Sequence, residues 1–169
     1  MKRVLVLFVT ALLVSSISHA QCLADRDGYQ GNVELELGSI AGTKSIDVGV
    51  LTTHGYNTGA GWFFGAGAGL LVTPSHYAVI SVPVYADVRY SFCNKQVCPF
   101  IDMKVGTEID AEELTAGLFV SPSVGVMINR YSIALKYGFS NGRTNLISPG
   151  YKRYDYNTHA ISVGIAVSF

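Results

Sequence analysis

A two-residue hydrophobic period along most of the chain, almost no helical periodicity and a charged share of only 14% predict an all-β fold. The form expected is a transmembrane, antiparallel, up-and-down β-barrel of about eight strands behind a cleaved signal peptide. Soluble domains average about 25% charged residues, so the deficit needs an explanation beyond a water-facing surface. The 169 residues are 49% hydrophobic and 11% aromatic, which argues against disorder. That length fits a single domain. The formal net charge of +0 provides no basic surface to displace counterions, so no nucleic-acid partner is expected.

The N-terminus reads as a separate segment. Lys2 and Arg3 form a positive n-region, Val4 to Val14 an apolar h-region, and Ser18-His19-Ala20 a small-x-small cleavage site. Residues 1–20 are therefore expected to be a signal peptide and 21–169 the barrel domain. The h-region is shorter than the roughly 20 residues that cross a bilayer as a helix, and no later stretch reaches that length. Without Lys2 and Arg3, ten basic side chains face twelve acidic ones.

The strands follow in order. Around 29–38, Val33, Leu35 and Leu37 alternate with Asn32, Glu34 and Glu36; around 44–53, Ile46, Val48 and Val50 alternate with Asp47 and Gly49. At 60–72, Trp62, Phe64, Ala66, Ala68 and Leu70 stand against Gly65, Gly67 and Gly69. The run 79–92 sets Ile80, Val82, Val84, Ala86, Val88, Tyr90 and Phe92 against Ser81, Pro83, Tyr85, Asp87, Arg89 and Ser91. At 98–106, Ile101, Met103 and Val105 face away from Asp102, Lys104 and Gly106; at 114–128, Leu118, Val120, Val124 and Val126 face away from Gly117, Ser121, Ser123 and Gly125. Residues 131–139 and 161–169 repeat the pattern, with Lys136 joining the small face of the former and Phe169 closing the latter.

Period two does not say which face is inside. A soluble sandwich or barrel would cover its outside with charge, but here the face opposite the bulky residues is mainly Gly, Ser and Ala with a few ionisable groups. That suits a narrow lumen, with the bulky face against lipid and aromatic girdles at the two interfaces. Tyr90, Phe92, Tyr131, Tyr137, Phe139 and Phe169 fall near strand ends, as girdle residues should.

With those features in place the mature chain resembles the small outer-membrane β-barrel proteins of Gram-negative bacteria, in which the last strand alternates and ends in Phe. The stretches 52–56, 84–90, 99–106 and 121–125 are similar to the group common in Bacteroides-type bacteria. The resemblance implies an outer-membrane location, both termini in the periplasm, and Phe169 as the signal read by the barrel assembly machinery. It also implies outer-membrane lipid and lipopolysaccharide as surroundings, with no catalytic residues to carry over. Short periplasmic turns are then expected at 54–59, 93–98 and 129–130, and outside loops near 39–43, 73–77, 107–113 and 141–156.

Three candidate sites emerge. In the lumen, Glu34, Glu36, Asp47, Asp87 and Asp102 face inward beside Arg89, Lys104 and Lys136. About eight strands leave an interior just filled by side chains, so these charges are expected to pair and plug it; an ion path is the alternative. In the longest loop, Arg143, Lys152 and Arg153 stand among Tyr151, Tyr154 and Tyr156, which suits a sugar ring or an anionic headgroup, although solvated surface is the plainer reading. In the preceding loop, Glu108, Asp110, Glu112 and Glu113 suit a divalent ion or that basic loop, but lack the spacing of a calcium loop.

Cys93 and Cys98 have a spacing compatible with a disulfide across a hairpin, or with two free thiols, and Cys22 is left over. Gln21 before Cys22 is too large for a lipoprotein signal, and His54, His76 and His159 have no metal-ligand spacing, so no metal or cofactor is expected. For catalysis, His76 near Ser75 and His159 near Tyr156 are the outer-rim candidates, and neither stands beside both a nucleophile and an orienting acid. The reading is a monomeric, non-enzymatic surface scaffold acting through its loops. A narrow ion or small-solute channel is the alternative, followed by a lipid-modifying enzyme and a soluble lipocalin-like binder.

Overall fold

The computed structural model describes residues 27–42, 45–74, 79–92, 97–111, 115–145 and 157–169, with side chains in the 115–145 segment as far as 141. The signal-peptide and Cys22 expectations lie outside these residues, as do those on His76, Cys93, Glu112, Glu113, Tyr151, Lys152, Arg153, Tyr154 and Tyr156. So does the side chain of Arg143.

Eight antiparallel strands follow one another around a closed barrel: β1 (Asp27–Ile40), β2 (Ile46–Thr58), β3 (Trp62–Thr73), β4 (Val79–Ser91), β5 (Val97–Asp110), β6 (Thr115–Ile128), β7 (Tyr131–Asn145) and β8 (Thr158–Ser168). Each strand pairs with its sequence neighbours, and β1 closes on β8 through a register running from Asn32↔Ser168 to Ile40↔Ala160. Closure leaves no open edge to be satisfied by water, the condition for a sheet to sit in hydrocarbon. Pro83 and Pro122 have no N–H to donate, and they sit where the β3–β4 and β6–β7 ladders lapse.

The two-residue period decides what faces out. Leu35, Leu37, Val50, Leu70, Val124, Leu135, Ile161 and Ile165 all lie on the outer surface. A water-soluble particle would not present such a continuous apolar belt. Aromatic side chains crowd this outer face near the strand ends: Trp62 with Tyr90 (ring centroids 4.7 Å apart) and Phe64, Tyr90 with Phe92, and Phe169 edge-on to His54.

Several boundaries differ from expectation: β1 runs on through Ser39 and Ile40, and β5 already begins at Val97. Residues 54–58 continue β2 instead of turning, because Asn57 points inward and donates to the Gln30 side chain while the backbone stays laddered to β1. The turn is the shorter 59–61 segment, where Gly59 (φ 67°) and Gly61 (φ 86°) take the left-handed backbone that glycine accepts most readily. Glu108 and Asp110 belong to β5, not to an outside loop, since 107–110 ladders with 115–118. Arg143 likewise lies in β7, whose strand runs on to Asn145.

The lumen is not lined by small residues alone. Phe63, Tyr85, Phe100, Phe119, Leu51 and Met127 are buried inside it. Glycines on neighbouring strands make room: a Cβ at Gly67 would lie 2.7 Å from the Tyr85 ring, at Gly125 2.6 Å from Phe100, and at Gly55 2.8 Å from Phe63. Cys98, Phe100, Met127 and Ala134 cluster toward the end with the short turns, while Leu51, Tyr85 and Phe119, with Leu71 against them, cluster toward the other end.

Candidate functional site

Between those clusters the interior is ionic. Strand pairing sets the first layer, because β4 and β5 place Asp87 opposite Lys104 and Arg89 opposite Asp102. Acid and base alternate both along and across the two strands. Lys104 Nζ contacts Asp102, lies 3.8 Å from Asp87, and reaches across the lumen to Glu34 on β1 at 3.6 Å. Lys136 on β7 extends over β8 to the same acid, with Nζ 2.9 Å from Glu34 and 2.5 Å from Glu36. That passage exists because β8 carries Gly164, where a Cβ would strike the Glu34 carboxylate and lie 3.3 Å from Lys136 Cδ. Ser162, next along the inner face of β8, donates to Glu36.

Arg89 anchors the end nearer the turns. Its guanidinium sits 5.4 Å from the Phe63 ring centre and 5.0 Å from that of Phe100, with Nε 3.8 Å from Asp102 and NH2 3.9 Å from Asp87. With the Asn32 oxygen turned toward it, Asn32 accepts from both terminal nitrogens at 3.1 and 3.2 Å while its amide nitrogen donates to Ser168. Ser123 adds a hydroxyl hydrogen bond to Asp102 at 3.3 Å.

The structure thus brings together Glu34, Glu36, Asp87, Arg89, Asp102, Lys104 and Lys136 in one continuous ion-paired chain from β1 to β4, β5 and β7. Asp47 stands apart from it, with the Thr73 hydroxyl as its partner. The network leaves Lys104 and Lys136 with 1% and 2% of their surface exposed. Single partners removed from such buried pairs typically cost about 3–5 kcal/mol, since the remaining charge keeps its desolvation.

Toward the loop-bearing end the barrel opens into a cavity of about 490 Å³. Leu71 and Phe119 supply apolar surface; Glu36, Asp47, Glu108 and Asp110 stand around it. Glu108 accepts a hydrogen bond from Ser81 at 2.6 Å. Sequence reasoning placed Glu108 and Asp110 on a loop and did not find this cavity; their spacing of two, continuing the inner face of Asp102 and Lys104, was the available signal.

His159 is on the outer face of β8, where Tyr137 OH lies 2.6 Å from Nδ1 and the Tyr137 and Phe139 rings pack beside it. His54 is similarly held on the outside of β2 between Tyr29 OH (2.6 Å) and Thr52 Oγ1 (3.1 Å). Among the described residues, no group of three or more His, Cys, Asp or Glu side chains could hold a metal ion. Cys98 is fully buried beside Phe100 and Met127; whether it bonds Cys93 falls outside the described residues.

No protein-family model and no curated protein matches the sequence. Solved structures do match in fold. The outer membrane enzyme PagL superposes with a TM-score of 0.63 at 12% identity, covering 80% of this chain and 98% of PagL. The N-terminal β-barrel domain of Pseudomonas aeruginosa OprF gives 0.52 at 8% identity, covering 85% and 100%. Neisserial surface protein A gives 0.51 at 13% identity, covering 85% and 97%. At such identities the likeness speaks for the fold, and in fold this chain is a small, closed, eight-stranded β-barrel of the kind found in outer-membrane proteins.

Proposed function

We propose that this chain is a monomeric outer-membrane barrel whose lumen is plugged by its ion-paired network. In this reading it acts as a structural and interaction scaffold at the cell surface. The outer apolar belt supports the location, since the same face in water would be an aggregation hazard. The observation that carries the plugged reading is Lys104, which spans the lumen from β5 to Glu34 on β1 with 1% of its surface exposed. A fixed cation paired on several sides fills the space that a permeating ion would need.

In the proposed orientation both termini, the turns at 59–61 and 129–130 and the β4–β5 connection face the periplasm, while the other four connections face outward among lipopolysaccharide. Phe169 would serve the barrel assembly machinery during insertion. In the folded barrel its backbone exchanges two hydrogen bonds of 2.9 Å with Gly31, which ties the chain end to the closing seam. His159 sits on the outer face with Nδ1 against Tyr137 OH and the Tyr137 and Phe139 rings beside it, which supports reading it as an interfacial residue of the scaffold.

Single-channel recording in planar bilayers tests the proposal. The expected trace shows no steady conductance for the unaltered barrel. A steady conductance that disappears on changing Lys104 or Arg89 would establish the channel reading instead. Lipid A acyl turnover, lost on His159→Ala or His76→Ala, would establish the enzyme reading.

A further inference from the structure

We propose that the cavity at the loop-bearing end of the barrel is a binding site for an elongated organic polycation, of the diamine or polyamine class, with an aliphatic body and well-separated ammonium groups. The inference rests on the shape and charge of this end of the barrel and holds whether or not the lumen conducts.

The first observation is volume. An eight-stranded barrel ordinarily has its interior just filled by side chains, yet about 490 Å³ lies open here, within the range of small-molecule sites. Its apolar surface is fixed: Leu71 and Phe119 lie against the buried Leu51 and Tyr85, and the Phe119 and Tyr85 rings pack 6.0 Å apart. Such a surface offers an alkyl chain the contact that water cannot.

The second observation is the mismatch of charge. Deeper in the lumen the carboxylates of Glu34, Asp87 and Asp102 face Lys104, Lys136 or Arg89. Among the described residues, no lysine or arginine contributes to the cavity lining. Asp47 is held by the neutral hydroxyl of Thr73, and Glu108 by that of Ser81. Hydroxyl donors orient a carboxylate but leave its charge in place, so the described lining of the cavity favours cations. Glu36 is already committed to Lys136 and Ser162, and Asp110 is buried with an interaction of its own, which leaves Asp47 and Glu108 as the two principal ammonium partners.

The third observation selects the class of cation. Among the described residues, the acids do not converge into a set that could hold a metal ion, so the charges suit a ligand whose own charges are spread out.

The test is isothermal titration of the full chain, folded in neutral detergent micelles, with spermine and with 1,8-diaminooctane, using ammonium chloride and magnesium chloride as comparisons. Saturable one-to-one binding of both amines is expected, with magnesium and ammonium at least tenfold weaker. Asp47→Asn with Glu108→Gln, which keeps each hydroxyl partner, should weaken the amines at least tenfold. Heat-modifiable gel migration checks that the variant is folded. Three results overturn the proposal: no saturable amine binding by the unaltered chain, magnesium binding as tightly as spermine, or amine affinity unchanged in a folded double variant. Phe119→Ser should weaken diaminooctane more than magnesium; equal effects on the two would also count against it.

Discussion

Lys104→Met removes the central cation of the lumen while keeping an unbranched side chain of similar reach. Three carboxylates lie within pairing distance of its ammonium: Asp102, Glu34 at 3.6 Å and Asp87 at 3.8 Å. After the change, the cation left to Asp102 and Asp87 is Arg89, at 3.8 and 3.9 Å, and Glu34 retains Lys136. A buried pair broken from one side costs about 3–5 kcal/mol, or between two and four powers of ten in the folding equilibrium. Urea unfolding in phospholipid vesicles, followed by the fluorescence of Trp62, the single tryptophan of the chain, reads this directly. Adding Asp102→Asn should recover part of the loss, because it removes the acid in closest contact with the missing cation. A Lys104→Met barrel within about 1 kcal/mol of the parent, or a double variant that costs the plain sum of the two changes, would refute the ion-paired interior.

The outward orientation makes Ile165→Arg, at an exposed mid-strand position, oppose membrane stability by about 2–4 kcal/mol near mid-bilayer. Ser162→Thr, which keeps the hydroxyl that Glu36 accepts from, should be mild in the same unfolding assay. Gly125→Ala sets a methyl against the backbone oxygen of Ile133 on β7 and 2.6 Å from Phe100 Cζ, and should cost about 1–3 kcal/mol by overpacking. Phe100→Leu should restore only the part due to the ring; full recovery would mean that the β7 backbone does not need the glycine.

The sheet was legible because its grammar is local. In 161–169 and 131–139 the alternation alone specifies strand, face and approximate length, and the structure extends the same pattern at the ends. The inward charges of β4 and β5 were legible for the same reason: Asp87, Arg89, Asp102 and Lys104 occupy the minority face of otherwise apolar runs. Their partners across the lumen were not legible, because the contacts of Lys104 with Glu34 and of Lys136 with Glu36 depend on strand tilt and closure, which no short stretch encodes. The interior aromatics escaped for a related reason. Trp62-Phe63-Phe64 places rings on both faces, and only the glycine at 65 beside Phe63 marks which one turns inward. At Glu108 and Asp110 an acidic run reads as solvated loop, although the rim of a hydrated barrel can hold acids on its inner face without leaving the ladder. Gly55 and Asn57 misled in the opposite sense, imitating a turn inside a strand where Asn57 serves Gln30.

The central claim is that the bulky face of every strand looks into hydrocarbon while the charged face looks into the barrel. Nitroxide labels placed singly at Val163, Gly164, Ile165 and Ala166 in lipid vesicles, read by electron paramagnetic resonance for collision with oxygen, measure this position by position. Oxygen accessibility is expected to be high at Val163 and Ile165 and low at Gly164 and Ala166, the period of the strand itself. Accessibility that is high at Gly164 and Ala166 and low at Val163 and Ile165, or uniform along the strand, would contradict it.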